Sequence, residues 1–403
     1  MEKRKANQKR RDSKGRILRT GESQRKDGRY AFVYTDHLGK QKFIYSWKLE
    51  KTDPLPSGCR PCVALRIREQ EILRDIQDGI IPSGGNLTVL ELTEKYIAQK
   101  NGLKETSKAC YRKVINIIAK DKFGGYRIDK VRISDAKEWF VRLQAEGKSY
   151  GTIQTIRTVI KPVFQMAVND DLLRKNPFDF KLKELLIDDR KVRLALTELQ
   201  EKQFLDFVQN SNCYKKYYEA IAILFKTGLR ISELCGLTVR DIDFKERSIN
   251  VDHQLQKIDC RYYIETTKSK SGLRKIPMSE NVYILLKDVI EKQKDRKIEP
   301  VIDGYSGFLF LNRNGTPIVK ENWERRFRNI IRRYNKCHQE KLPDVVPHVC
   351  RHTYCTNMAR SGMNPKILQY LMGHSSITIT LNYYTHLDLK DAKEELKRIE
   401  NLA

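Results

Sequence analysis

At 403 residues the chain is too long for one ordinary compact domain, and two or three, each with its own core, is the natural division. Lysine and arginine number 78 against 51 acidic residues, a formal charge of +27 that repels itself unless a polyanion neutralises it, so nucleic acid leads as the partner. No stretch reaches the ~20 apolar residues that span a bilayer, which argues against a membrane protein, and charged residues after Met1 with nine scattered cysteines, read as reduced thiols, point to the cytoplasm.

The chain opens on a basic arm, Lys3 to Arg16, alternates through Tyr30, Phe32 and Tyr34, turns at Gly39 and alternates again through Phe43, Tyr45 and Trp47. Period two on both sides of a glycine turn predicts a β-hairpin, with Gly15 to Thr20 as a third strand and a helix from Val63 to Asp78 as its cover. Arg25, Lys26, Arg29, Lys40, Lys42 and Lys48 stand among these aromatics. The expectation is a small sheet with an aromatic packing face and a basic exposed face able to enter a DNA groove; lysines that only keep a sheet edge soluble are the plainer alternative. Cys59 and Cys62 form the one C-x-x-C, and without a second pair at finger spacing they read as a chance pair in a loop. Ile81 to Gly85, with Pro82 and two glycines, reads as a linker.

From Leu87 to Phe180 the period becomes helical. Leu90 to Ala98 and Tyr111 to Ile118 give two helices. A third, N-capped by Ser134 and stopped at Gly147, carries Ala136, Trp139, Phe140 and Leu143. A fourth carries Ile153, Ile156, Ile160, Val163, Phe164 and Ala167, and Pro162 should kink it. The charged stretch Lys181 to Arg193 reads as a second linker. Beyond Leu196, helices flank short strands at Ser248 to His253, Tyr262 to Thr267 and Arg274 to Met278. The fold class is multidomain α+β: a three-stranded sheet plus helix over 1–81, an all-α four-helix bundle over 87–180, and a mainly α domain with a small β-sheet over 194–403.

Four local signals in the last domain carry chemistry. A helix built on Tyr217, Ile221, Leu224 and Phe225 stops at Gly228 and delivers Arg230 at a turn. Lys270 lies between two predicted strands, at the tip of a hairpin, with Lys268 as a neighbouring candidate. His348 and Arg351 form an H-x-x-R that shares one face if it opens a helix. His374 is followed by Tyr383 and Tyr384. Attack on a phosphodiester builds charge on the non-bridging oxygens, and two guanidiniums suit it because each donates paired hydrogen bonds and neither loses its proton. A lysine can protonate the leaving 5′-oxygen, and a tyrosine, with an ordinary pKa of ~10, needs a base such as His348. No carboxylate cluster accompanies these residues, so neither metal nor cofactor is expected and the cationic side chains take a metal ion's place. Taken singly each signal has a plain structural explanation: Arg230 paired with Glu233, Lys270 a solvated lysine, His348 and His374 satisfied core residues.

The stretches T-G-L-R-I-S-E-L, S-K-S-G-L-R-K-I-P, P-H-V-C-R-H-T and L-M-G-H-S-S-I-T-I-T-L-N-Y-Y-T-H resemble the signature boxes of the tyrosine recombinase (phage integrase) family. The amino-terminal text from Lys9 to Leu49 is similar to the arm-binding domain of integrases from conjugative transposons of Gram-positive bacteria, and the segment ending Arg174 to Phe178 to their core-binding bundle. The resemblance implies that Arg230 and Arg351 clamp the scissile phosphate, Lys270 is the general acid, His348 the acid/base partner, His374 a phosphate or transition-state contact, and Tyr384 the nucleophile. Many relatives place the nucleophile one residue nearer the box histidine, which would select Tyr383; the Y-x-H pattern with Thr385 and His386 selects Tyr384.

The reading is a site-specific recombinase that integrates and excises a mobile element through a 3′-phosphotyrosine, with a type IB topoisomerase or a non-catalytic DNA-binding regulator as alternatives. Exchange of two strand pairs implies a homotetramer on double-stranded DNA with core-type and arm-type sites. The stripe Ala392, Leu396 and Ile399 is able to dock on a neighbour or back on its own subunit. The resemblance adds an excisionase and a host DNA-bending protein as helpers, and a bacterial, nucleoid-associated location.

Overall fold

The structure, a computed structural model, describes residues 10–35, 39–77, 87–190, 194–266, 272–294 and 299–384, with isolated positions beyond. The predicted linker at Ile81 to Gly85, Lys268, Lys270 and His386 lie outside them, as does most of the carboxy-terminal stripe. None of the described helices is long and apolar enough to cross a membrane. By compactness the chain divides into residues 1–190 and 191–403.

At the amino terminus, β1 (Glu22–Gln24), β2 (Tyr30–Thr35) and β3 (Gln41–Ser46) form an antiparallel sheet in that order, and α1 (Leu65–Gln77) packs on it. The third strand is therefore Glu22–Gln24 and not Gly15 to Thr20, of which only Ile17 makes an isolated bridge, to Arg11. Gly21 separates the two stretches: its φ is +87, and a Cβ there would stand 2.8 Å from the Val33 carbonyl oxygen. The pairing Phe32↔Ile44 places Tyr30, Phe32 and Ile44 on the inner face with Leu49 and Leu65. Phe43 and Tyr45, one register step away, point outward and are 55% and 39% exposed, so the expected split into an aromatic inner and a basic outer face is corrected: the outer face is itself aromatic.

Between sheet and helix, Glu22 and Glu69 are both buried, with Arg66 donating to Glu22 at 2.9 Å and to Glu50 at 2.5 Å. Burial and the neighbouring Glu22 carboxylate push Glu69 up to about 7, while Glu22, though burial opposes it, is held low by Arg66. Between the usual carboxyl value and about pH 7, folded Glu69 keeps a proton that the unfolded chain has released, so its contribution to stability is lost as pH rises through that window. Hydrogen-exchange protection of the β1 to β3 amides in the full chain, after correction for the base-catalysed intrinsic rate, should be lower at pH 8 than at pH 6, and Glu69→Gln should remove that difference.

The helical part of the first unit comprises α2 (Val89–Ala98), α3 (Glu105–Lys120), α4 (Ile133–Ala145) and α5 (Tyr150–Asn169). Thr88 and Glu91 close α2 with a reciprocal capping box. α4 is not capped by Ser134: it starts one residue earlier, and Asp135 accepts the Arg132 N–H at 2.8 Å. Gly147, at φ +86, ends it as expected. α5 runs on through Pro162 as one helix. Phe123 stacks on Trp139 at 4.4 Å, with Phe140, Phe164 and Phe178 closing the core. Leu182 and Leu186 are buried in the same core, so the charged stretch after Phe180 is packed structure in its first half and not all linker.

The second unit begins with α6 (Glu198–Asn210), α7 (Tyr218–Thr227) and α8 (Ile231–Gly236). Ala220 to Phe225 are buried all round α7, as a helix passing through a core requires. Five short strands follow: β4 (Ile242–Asp243), β5 (Ser248–Val251), β6 (His253–Ile258), β7 (Arg261–Thr266) and β8 (Arg274–Pro277). They make two sheets, β4-β5-β8 and the hairpin β6-β7. β6 went unpredicted because only His253 and Leu255 in it are buried. β7 pairs with β6 and β8 with β5, so the two strands on either side of 267–271 are not partners of each other; Lys270 itself lies outside the described residues. The unit is completed by α9 (Glu280–Glu291), α10 (Lys320–Cys337), α11 (Pro347–Arg360), α12 (Pro365–Met372) and α13 (Ile377–Tyr384).

Candidate active site

α7 stops because Gly228 takes the left-handed conformation at φ +64. A Cβ there would stand 2.5 Å from the Tyr354 ring, so the turn is closed to larger residues sterically as well as conformationally. The turn delivers Arg230 as the residue capping α8, where its own N–H donates to Glu233 at 2.8 Å. Arg351, one turn into α11, is 4% exposed and donates to the Gly228 carbonyl at 2.7 Å. The H-x-x-R of the sequence thus opens a helix, with His348 exposed at its first turn.

α12 ends at Gly373 in a second left-handed turn, φ +61. The last carbonyls of a helix have no partner within it, and here three successive ones are each taken by a different arginine. Arg274 donates to Leu371 at 2.7 Å, Arg351 to Met372, and Arg230 to Gly373 at 2.8 Å. The negative end of the helix dipole favours this gathering of cations. One buried carboxylate faces them: Glu233 accepts from Arg274 at 2.7 and 3.1 Å and from Arg230 at 2.7 Å. Burial alone would raise the Glu233 carboxyl, but Arg274 foremost, then Arg230 and Arg351, hold it down to about 2. Burial, then the charge of Arg230, lowers Arg351 to about 10, still protonated at neutral pH. Three guanidiniums against one carboxylate leave a positive excess that suits an anion. Arg230 and Arg351 each spend two of a guanidinium's five N–H donors in these bonds, so donors remain on both.

His374 follows directly on the α12 turn. Its Nδ1 lies 3.0 Å from the Thr380 hydroxyl, and it is pushed down to about 4, by burial first and then by Arg351, Arg230, Arg274 and His348. At neutral pH the ring is uncharged and carries one hydrogen, which sits on Nε2 in the tautomer in which Thr380 donates to Nδ1. Tyr383 lies over this region, its ring 4.9 Å from His352 and 6.3 Å from His374. The Tyr384 hydroxyl instead donates to the Met363 carbonyl, inside a small apolar cluster with Tyr354, Cys355 and Met372. Burial raises both phenols above their usual value.

The structure therefore brings Arg230, Arg351 and His374 together with His348 nearby, holds Tyr384 apart, and leaves Lys270 outside the described residues. Arg274 was missed as a member of this cluster, and Glu233 was read only as a structural partner of Arg230, which it is; the R of G-L-R-K was visible, but nothing in the sequence says that Arg274 and Glu233 meet. Asp241, Asp252 and His253 gather within metal-ligand distance, yet both His253 ring nitrogens already bond protein oxygens, of Asp252 and of Gly236. In the amino-terminal sheet, Arg25 lies over the Tyr45 ring and Arg29 over Tyr45 and Trp47, while Lys26, Lys40 and Lys42 are exposed and Lys48 half-buried.

The phage integrase family matches residues 195–391, and the DNA binding domain of tn916 integrase matches residues 6–76. The chain is 47% identical over 394 residues to the transposase from transposon Tn916 of Enterococcus faecalis, and likewise to that from transposon Tn1545 of Streptococcus pneumoniae, covering 97% of each chain in both comparisons. It resembles the Tn1549 transposon integrase solved in complex with a circular intermediate DNA, with a TM-score of 0.73 and 46% identity over 78% of this chain and 99% of that one. A lambda integrase dimer bound to a core site, 17% identical with a TM-score of 0.54 over 92% of this chain and 95% of that one, shares the fold. The sequence boxes, the arginine cluster at the end of α12 and these likenesses lead to one conclusion: the chain belongs to the phage integrase family of tyrosine recombinases, in the group of Tn916-type transposon integrases, enzymes that cut and rejoin DNA.

Proposed function

We propose that this enzyme integrates and excises a mobile element with Tyr384 as its nucleophile, and that the cationic cluster of Arg230 and Arg351 binds the phosphate under attack. The observation that carries the reading is the pair of guanidiniums fixed on the Gly228, Met372 and Gly373 carbonyls beside an uncharged His374. Preorganised donors of this kind lower the barrier because they need no reorganisation as charge builds on the phosphate. Tyr384 loses its proton to His348 and bonds to phosphorus. The 5′-oxygen leaves with a proton from Lys270, and the 5′-hydroxyl of another strand reverses the step. The bond from Tyr384 to Met363 must break first. Tyr384 is preferred over the nearer Tyr383 on register. The Tn1549 integrase was solved with an arginine changed to lysine and with a tyrosine changed to phenylalanine, and those two positions have the same separation as Arg230 and Tyr384. Incubation with suicide DNA in excess chelator should leave protein joined to the nicked strand at Tyr384; free nicked DNA, or no scission without divalent metal, would sink the reading.

The domains proposed are an arm-type DNA reader over 1–81, a core-binding bundle over 87–180 and the catalytic domain over 194–403, working as a homotetramer with an excisionase and a host DNA-bending protein at the nucleoid. In the first, Arg25, Lys26, Arg29, Lys40, Lys42 and Lys48 contact arm-site DNA. Replacing Arg25 and Arg29 together by alanine should weaken arm-site binding roughly tenfold or more and flatten its salt dependence by about 1 to 2 in log-log slope. Core-site cleavage should be spared, and equal loss of both activities would refute this division of labour.

A further inference from the structure

We infer that Arg274 is a positioning residue of the recombination reaction: it neutralises Glu233 so that the charge of Arg230 stays available to the DNA phosphate. The inference rests on the phosphate role proposed for Arg230. The Arg274 side chain is fully buried, and all three of its nitrogens are committed, Nε to Leu371, Nη1 to Glu233 and Gly272, Nη2 to Glu233. It has no face to offer to DNA. Arg230 is built differently, with a side chain 38% exposed and donors left over.

Both arginines share one carboxylate oxygen, Glu233 Oε1, which Arg230 reaches at 2.7 Å and Arg274 at 3.1 Å. A buried carboxylate must be compensated. With Arg274 present, Glu233 is satisfied from inside the protein and serves to orient Arg230 through its backbone N–H and its guanidinium. Without Arg274, the only cation bonded to Glu233 among the described residues is Arg230, which then closes a private ion pair and withdraws from the phosphate. Arg274 also ties β8 to the end of α12 through Leu371, beside the carbonyls that seat Arg351 and Arg230. One buried guanidinium thus sets both the charge and the spacing of the two that face the ligand.

The test compares cleavage of suicide DNA carrying an ordinary scissile phosphate with DNA carrying a neutral methylphosphonate there, using the full-length enzyme. Arg274→Leu should slow cleavage of the phosphate by ~100-fold or more, as loss of a preorganised donor does. The defect should shrink to ~10-fold or less on the methylphosphonate, where less charge has to be met. Adding Glu233→Gln to Arg274→Leu removes the orphaned charge and should recover at least ~10-fold on the ordinary phosphate. A merely structural role would depress both substrates alike, and that result, or undiminished cleavage of the phosphate, overturns the inference. Should Arg274→Leu not fold, Arg274→Gln, which removes the charge but keeps a polar side chain of similar length, is read the same way. Arg230→Ala serves as reference: if it too is indifferent to the methylphosphonate, the phosphate role of Arg230 has failed, whereas indifference of the Arg274 variants alone defeats only this proposal.

Discussion

Tyr384→Phe is expected to abolish covalent capture of DNA, lowering cleavage by at least ~10⁴-fold while leaving non-covalent DNA binding intact. The expectation follows from the chemistry, since phenylalanine has no oxygen to bond to phosphorus and no neighbour replaces it. Tyr383→Phe is the informative partner. Its ring packs near His352 and His374 and its phenol is raised by burial, so its loss should cost no more than ~10-fold through packing. Denaturing gels of suicide-substrate reactions separate the two, and a reversal of the pair would move the nucleophile to Tyr383. Because burial raises the Tyr384 phenol as well, it is almost wholly protonated in the neutral range, and cleavage should speed up as pH rises there because the small ionised fraction of the phenol grows.

Arg351→Lys should lower cleavage by about 100- to 1000-fold, with the loss in rate and not in DNA affinity. Arg351 is 4% exposed, so it adds little to encounter with DNA, but its planar fork bridges the Gly228 and Met372 carbonyls and still has donors to spare. A lysine keeps the charge and loses the fork, and a single ammonium cannot bridge both carbonyls and meet a phosphate in the same geometry. Thermal stability should fall as well, because the two carbonyls are left unsatisfied in a buried place. Single-turnover cleavage with saturating DNA, beside a fluorescence binding titration, distinguishes a lost rate from a lost affinity; weaker binding at an unchanged rate would contradict the assignment.

Local signals in the chain were enough for much of the fold. Gly228 and Gly147 stop helices where they were expected to, since a left-handed residue at a helix end is a property of the glycine itself. The four helices of the middle segment follow from their own periodicity, and the H-x-x-R opens a helix because Pro347 suits a first turn. Misreadings occurred where local signals compete. Ser134 lost the cap to an arrangement in which Asp135 reaches back to the Arg132 N–H, and β6 escaped notice because a strand with so few buried positions has no strong alternation.

By itself the sequence determined most of the helices, several of their ends, the basic character of the protein and a set of side chains chemically suited to a phosphate, because each depends on side-chain chemistry or on neighbours within a few positions. Only the tertiary structure decided that Arg230, Arg274 and Arg351 converge on the carbonyls of residues 371 to 373, that Glu233 is shared between two of them, and that Phe43 and Tyr45 face outward. Those facts depend on unsatisfied carbonyls at one helix end and on strand register. Both are settled by packing between segments up to 143 residues apart or across a turn, where no local pattern reaches.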